Sequence, residues 1–173
     1  MTPLEILDVT SSAASALVGN LVVHYQVDTP TAADGFAYGR AIRTGRERFP
    51  AGIASMFVAY AEKAEMPDQA ARDAMGRALK EARGAIVCGC TVVLVGGFLG
   101  AAMRAIGNTI VLGSRIGAPI KLFGDIPSGA RFIIDHARRR GIELPSEAEI
   151  LAAADELRAA IPAPSVRRPR LRP

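Results

Sequence analysis

The segment from Ala85 to Met103, AIVCGCTVVLVGGFLGAAM, contains no charged side chain and constrains the fold more than any other part of the chain. A membrane-spanning helix needs about 20 predominantly apolar residues, so the length of this segment alone permits a span. However, its first half is dominated by β-branched residues, which are typical of a strand buried on both faces of a sheet. Gly96 and Gly97 then interrupt the run and suit a tight turn from a strand into a helix.

The apolar pattern continues beyond Met103 as far as Arg115, with few polar residues. Arg104, Asn108 and Arg115 fall on one narrow polar stripe, which predicts an amphipathic or nearly buried helix rather than the second half of a span. A spanning helix would also leave the neighbouring strand-like segments without a strand to pair with. We therefore predict a buried strand followed by a buried helix in a water-soluble protein, and no membrane span.

Strand-like and helix-like segments alternate along the rest of the chain. LEILDV and ALVGNLVVHYQV predict a hairpin or two successive strands, with a turn or bulge at Gly19 and Asn20. Asp28 or Thr29 is predicted to cap the first helix, and a capping box of Ser146 and Glu149 opens the last one. This alternation implies βαβ units and an α/β fold with a mixed or mostly parallel central sheet of about four or five strands.

The same patterns predict one domain with two short additions. Residues 1–143 form the α/β domain, residues 144–162 form an extra C-terminal helix, and residues 163–173 form a disordered tail rich in Arg and Pro.

The order of the predicted elements resembles that of the SpoIIAA-like family, the STAS/SEC14-type group of small bacterial α/β domains. The resemblance covers about Leu4 to Arg140 and also rests on the segments GNLVVHYQVDTPT and FLGAAMRAIGNTIVLGSRIGAPIKLFGDIPSGARFI. It implies a non-enzymatic protein-interaction or regulatory module. In anti-sigma-factor antagonists of this fold, a phosphorylatable Ser opens the helix after the third strand. The corresponding segment here, AEKAEMPDQAARDAMG, contains no Ser or Thr, so the resemblance does not imply serine phosphorylation in this chain.

Cys88 and Cys90 are two residues apart, so both point to the same face of a strand. No His or further Cys stands near them in the sequence to complete a tetrahedral metal site, and we expect them to pack in the core as small apolar side chains. Neither a structural metal nor a disulfide framework is predicted, and the N-terminal residues lack the pattern of a signal peptide. We therefore expect a reducing, cytoplasmic location.

His24 and His136 are the only histidines, and neither belongs to a readable cluster of titratable side chains. We expect no catalytic residue, no bound cofactor and no enzymatic activity. The candidate interaction or anion site consists of Gly96, Gly97, Arg104, Asn108 and Arg115, because the amino end of the predicted helix could hold an anion.

The formal net charge is +4, and the last eight residues, VRRPRLRP, contain four arginines. The remaining body is nearly neutral, so we expect no nucleic-acid partner. We rank two functions. The first is binding of a protein partner or of a second copy of this chain. The second is binding of a small apolar or lipid-like ligand in a cavity of about 300 Å³ or more between sheet and helices.

Overall fold

The computed structural model of the protein describes residues 2–60, 67–94 and 117–162. Within these ranges the strands are β1 (Leu4–Val9), β2 (Ala13–Val18), β3 (Leu21–Gln26), β4 (Ile53–Ala59), β5 (Ile86–Val93) and β6 (Ile120–Phe123). The helices are α1 (Ala32–Arg48), α2 (Gln69–Glu81), α3 (Ile126–Arg138) and α4 (Glu147–Ala160).

The six strands form one mixed sheet in the order β1–β2–β3–β4–β5–β6. β2 is antiparallel to both β1 and β3, and β3 to β6 are parallel to one another. The predicted α/β class with a mixed sheet is confirmed, but the sheet has six strands rather than about four or five. The difference arises at Gly19, whose φ of +55° closes a tight turn and divides ALVGNLVVHYQV into β2 and β3. Glycine adopts this left-handed conformation without steric cost.

The first half of the uncharged segment is a strand, as predicted. β5 lies between β4 and β6 and is parallel to both. In the part of the chain that the structure describes, no helix has the length and apolar character required to cross a membrane. The predicted helix that follows β5 lies outside the described residues.

Helices cover both faces of the sheet. On one face, here called the α1 face, α1 packs over β1 to β3 and α2 lies beside α1. On the opposite face, the α3 face, α3 packs over β4 to β6 and α4 packs over β1 to β3. Because both faces are covered, alternate side chains of the central strands enter two separate cores.

The amino ends of the helices are fixed by side-chain caps. Helix α1 is capped by Thr31 and not by Asp28 or Thr29, because Thr31 and Asp34 form a reciprocal capping box. The capping box predicted for Ser146 and Glu149 is present at the start of α4. These caps define where the helices begin and thereby which side chains face the sheet.

Two glycines in the paired helices α1 and α2 should respond oppositely to the same substitution. A Cβ atom on Gly35 would lie 2.7 Å from the Cβ of Ala74, whereas a Cβ on Gly76 would have no atom within 4 Å. We expect Gly35→Ala to lower the free energy of unfolding by about 1–3 kcal/mol, because the helices must move apart. Gly76→Ala should raise it by about 0.5–1 kcal/mol through helix propensity and the entropy of the unfolded chain. Urea unfolding of both variants tests this, and a stabilising effect of both would contradict the described packing of α1 against α2.

Candidate binding groove on the α1 face

The register of the sheet aligns a set of side chains on the α1 face. His24 of β3 is paired with Phe57 of β4, which is paired with Thr91 of β5. In the neighbouring row, Ser55 of β4 is paired with Gly89, which is paired with Ile120 of β6. Since side chains alternate along a strand, the two rows lie on the same side of the sheet.

A groove of about 120 Å³ lies between α2 and strands β4 to β6 on this face. It exists because α1 covers β1 to β3, while α2 packs mainly against α1. Among the described residues, six that define its character are Phe57, Ala59, Met75, Leu79, Thr91 and Ile120. Phe57, Thr91 and Ile120 are only half-buried, so apolar surface of the sheet remains accessible in the groove.

The floor of the groove contains two hydroxyl groups that are joined by one hydrogen bond. The hydroxyl oxygens of Tyr38 and Ser55 are 2.6 Å apart, and both side chains are buried. Burial raises the pKa of Tyr38 to about 12, against the opposing effect of the hydrogen bond with Ser55. The phenol is therefore neutral at physiological pH, and neither hydroxyl of the floor carries a charge.

His24 lies directly behind the groove. Its ring stacks on Phe57 with centroids 4.8 Å apart and lies 5.2 Å from the ring of Tyr38. Nδ1 lies 2.7 Å from the Ser15 hydroxyl, and Nε2 lies 3.2 Å from Oε1 of Gln26. Since Oε1 of Gln26 can only accept, Nε2 carries the proton and Nδ1 accepts from Ser15. Burial lowers the pKa of His24 to about 4, so the ring is neutral at pH 7.

The polar network continues from Gln26 to Asp34, whose carboxylate is buried at the start of α1. Gln26 donates to Oδ2 of Asp34 at 3.2 Å, and the hydroxyls of Thr10 and Ser12 donate to the same carboxylate at 2.6 and 2.9 Å. The backbone N–H and the hydroxyl of Thr31 donate at 2.8 and 2.9 Å. The carboxylate thus joins the start of α1 to β3 and to the β1–β2 turn.

Ser15, His24 and Asp34 have the residue types of a hydrolytic triad, but their geometry is structural. Gln26 stands between His24 and Asp34, and the side chains of Ser15 and His24 have no solvent exposure. A nucleophile must reach its substrate, and a hydroxyl enclosed in the core does not. The network therefore supports the wall of the groove rather than forming a reaction centre.

The predicted site residues Gly96, Gly97, Arg104, Asn108 and Arg115 lie outside the described residues. The groove residues Tyr38, Ser55, Phe57 and Thr91 were not predicted. The alternation of side chains could have placed Ser55 and Phe57 on one face of β4. It could not have shown that β5, which carries Thr91, is the strand next to β4.

Cys88 and Cys90 are buried on the α3 face, as predicted. Burial raises the pKa of Cys88 to about 11 and that of Cys90 further, so both thiols remain protonated. Within residues 2–60, 67–94 and 117–162, no three His, Cys, Asp or Glu side chains are grouped to hold a metal ion.

The fold and the groove define an α/β domain with a mixed sheet, both faces of which carry helices, and with an accessible apolar site on one of them. No model of a known protein family matches the sequence, and no curated protein is significantly similar to it. The SpoIIAA-like resemblance therefore stays a prediction.

Proposed function

We propose that the protein is a non-enzymatic interaction module of the SpoIIAA-like type, which binds apolar side chains of a protein partner in the groove of the α1 face. The observation that supports this proposal is the accessible apolar lining of the groove, with Phe57, Thr91 and Ile120 half-buried over a floor without charge. Accessible apolar surface of this kind is typical of interaction sites.

The size of the groove favours side chains of a protein over a lipid-like ligand. Its volume is about 120 Å³. Sites for whole small molecules usually enclose about 300–1,000 Å³. The groove therefore suits one or two apolar side chains that project from a larger partner.

The chemistry at the rim also favours an apolar occupant. Arg72 is the only charged side chain among the described lining residues. Its guanidinium already donates to the carbonyl oxygen of Pro67 and, at 2.8 Å, to Oε1 of Gln69. Because that cation has partners within the protein, we expect apolar contact rather than an ion pair to dominate binding.

The proposal extends to a regulatory role in the bacterial cytoplasm. This extension rests on the SpoIIAA-like resemblance. The segment 61–76, which corresponds to the phosphorylated loop of anti-sigma-factor antagonists, contains no Ser or Thr, so partner binding would be regulated by means other than serine phosphorylation.

Thr91→Arg tests the proposal because it places a long cationic side chain in the groove. Thr91 is half-buried, so the larger side chain can extend toward solvent without unfolding the sheet. We expect the amount of partner captured by the tagged full chain from its native cells, measured by quantitative mass spectrometry, to fall at least tenfold. Burying a large apolar side chain stabilises a complex by about 1.5–3 kcal/mol, which corresponds to a change of this size.

Ile6→Arg is the matched control, because Ile6 is an exposed apolar residue of β1 on the opposite edge of the sheet. It should leave capture unchanged. Equal capture by wild type and Thr91→Arg would refute the groove as the binding face. A lipid retained by the wild type and lost by Thr91→Arg in native mass spectrometry would replace the protein partner with a lipid. If the wild type captures nothing because other parts of this chain fill the groove, the proposal is also wrong.

A further inference from the structure

We propose that the two hydroxyls at the floor of the groove select a partner segment that inserts the carboxamide of an Asn or Gln side chain beside its apolar side chains. This inference rests on the proposed function, and it names the polar group that Tyr38 and Ser55 recognise. It follows from the number of hydrogen-bond donors and acceptors in the groove.

The pair of hydroxyls has one donor more than its single hydrogen bond uses. The hydroxyl oxygens of Tyr38 and Ser55 lie 2.6 Å apart, so one O–H donates and the other oxygen accepts. The hydroxyl that accepts still carries its own hydrogen. Among the described residues, neither hydroxyl has a further hydrogen-bond partner. One O–H donor therefore remains unused, whichever of the two oxygens carries it.

This unused donor is buried, and the groove lining offers it no good acceptor. Tyr38 and Ser55 are each only 4% exposed, and both line the groove. Thr91 has the only other side-chain oxygen among the described lining residues, and it makes no hydrogen bond with the pair. The guanidinium of Arg72 accepts no hydrogen bond, and the sulfur atoms in the lining are only weak acceptors. The acceptor must therefore come from solvent or from the group that occupies the groove.

An entirely apolar occupant would leave this donor without a partner. A side chain that displaces solvent from the groove also removes the acceptors that solvent supplies. A buried donor that is left unpaired weakens a complex by about five- to 150-fold. The most favourable occupant therefore combines apolar surface with one hydrogen-bond acceptor.

The charge of the groove indicates that this acceptor is neutral. Arg72, the one cation among the described lining residues, already donates to Pro67 and Gln69, so a carboxylate would be buried without a counter-charge. A carboxamide is neutral, its carbonyl oxygen accepts from the unused O–H, and its NH2 group donates to a lone pair of the neighbouring hydroxyl oxygen. Asn and Gln are the side chains that carry this group.

Peptides from a random 12-residue phage library, selected on the full wild-type chain, provide the probe. We expect the enriched peptides to carry an Asn or Gln among apolar residues. An apolar residue of similar shape at that position, such as Leu for Asn, should weaken binding to the wild type at least tenfold. Asp for Asn should weaken it at least as much, because Asp keeps an oxygen acceptor but adds a charge. Fluorescence anisotropy of labelled peptides measures each Kd.

The double variant Tyr38→Phe/Ser55→Ala removes both hydroxyls. The preference for a carboxamide peptide over its apolar counterpart should fall at least tenfold, because no donor is left to pair. Each single variant still has one O–H, so the preference should disappear only in the double variant. Tyr25→Phe is the matched control, because it removes a phenol hydroxyl beneath the α3 face, and it should leave the preference unchanged.

Folding of the double variant is expected, because replacing both partners of a hydrogen bond by apolar groups of similar shape is nearly neutral for stability. The comparison of peptides on the wild type does not depend on that variant. A preference that persists in the double variant, or that disappears in either single variant, would overturn the inference. Enriched peptides in which no Asn or Gln contributes to binding would also overturn it.

Thr91→Arg separates this inference from the proposed function. If the selected peptides are lost with Thr91→Arg but show no preference for a carboxamide, the proposed function stands and only the carboxamide is wrong. If Thr91→Arg binds them as tightly as the wild type does, both are wrong. Failure to enrich any peptide would overturn the inference as well.

Discussion

Asp34→Ala should lower the free energy of unfolding by about 3–5 kcal/mol, because it removes a buried carboxylate on which several donors depend. The side chain is fully buried and accepts hydrogen bonds from Thr10, Ser12, Gln26 and Thr31. Without it, the buried amide of Gln26 loses one of its two acceptors, and the start of α1 loses its capping carboxylate. Urea unfolding at pH 7 measures the effect.

Asp68→Ala is the matched control, because Asp68 also caps a helix through its carboxylate but is exposed to solvent. Loss of such a cap costs about 1 kcal/mol. Asp34→Asn should cost less than Asp34→Ala, because its amide oxygen can replace Oδ2, which accepts four of the five hydrogen bonds, while its NH2 group meets only the hydroxyl of Thr10. If Asp34→Ala costs no more than Asp68→Ala, the network does not anchor α1 to the sheet.

The stability of the protein should fall as the pH drops from about 6.5 toward 4, because His24 is held neutral in the fold. Burial lowers its pKa from 6.5 to about 4, although Gln26, Asp34 and Asp8 oppose this shift. Between these values the unfolded chain binds a proton that the folded chain does not, so acid favours unfolding. We expect a loss of about 2 kcal/mol between pH 7.5 and pH 5.

The His24→Gln variant isolates this contribution, because glutamine keeps polar atoms but does not titrate. Between pH 7.5 and pH 5, the urea midpoint of this variant should change by less than half as much as that of the wild type. Asp34 contributes separately and at lower pH. Burial opposes ionisation of Asp34, but the hydrogen bonds from Thr10, Thr31 and Ser12 outweigh it and lower its pKa. If the stability of wild type and His24→Gln depends equally on pH, the claim that His24 is buried and neutral in the fold is wrong.

The central strand and most helix boundaries could be predicted because they follow from local patterns. β-branched residues identify β5, and the capping box of Ser146 and Glu149 identifies the start of α4. The division of β2 from β3 was left open by the sequence, because Gly19 fits a bulge within one strand as well as a tight turn. Only the pairing of Val18 with Leu21 shows that the chain reverses there.

The polar network and the groove could not be predicted for a different reason. From the sequence alone, a polar side chain such as Asp34 or Gln26 is predicted to lie on the surface. Its hydrogen-bond partners in the core belong to other elements, so the sequence does not identify them. The groove likewise combines residues of β4, β5, β6 and α2 that are far apart in sequence. Their proximity depends on strand order, which periodicity does not specify.

NMR titration tests most directly whether the groove is the binding face. The isotope-labelled full chain is titrated with a peptide that has been selected from a random peptide library for binding to the wild-type chain. We predict that the backbone amides of Phe57, Thr91 and Ile120 shift in proportion to occupancy, while those of Ala130 and Leu157, beneath the opposite face, stay unchanged. Shifts confined to the α3 face, with the groove residues unaffected, would contradict the account.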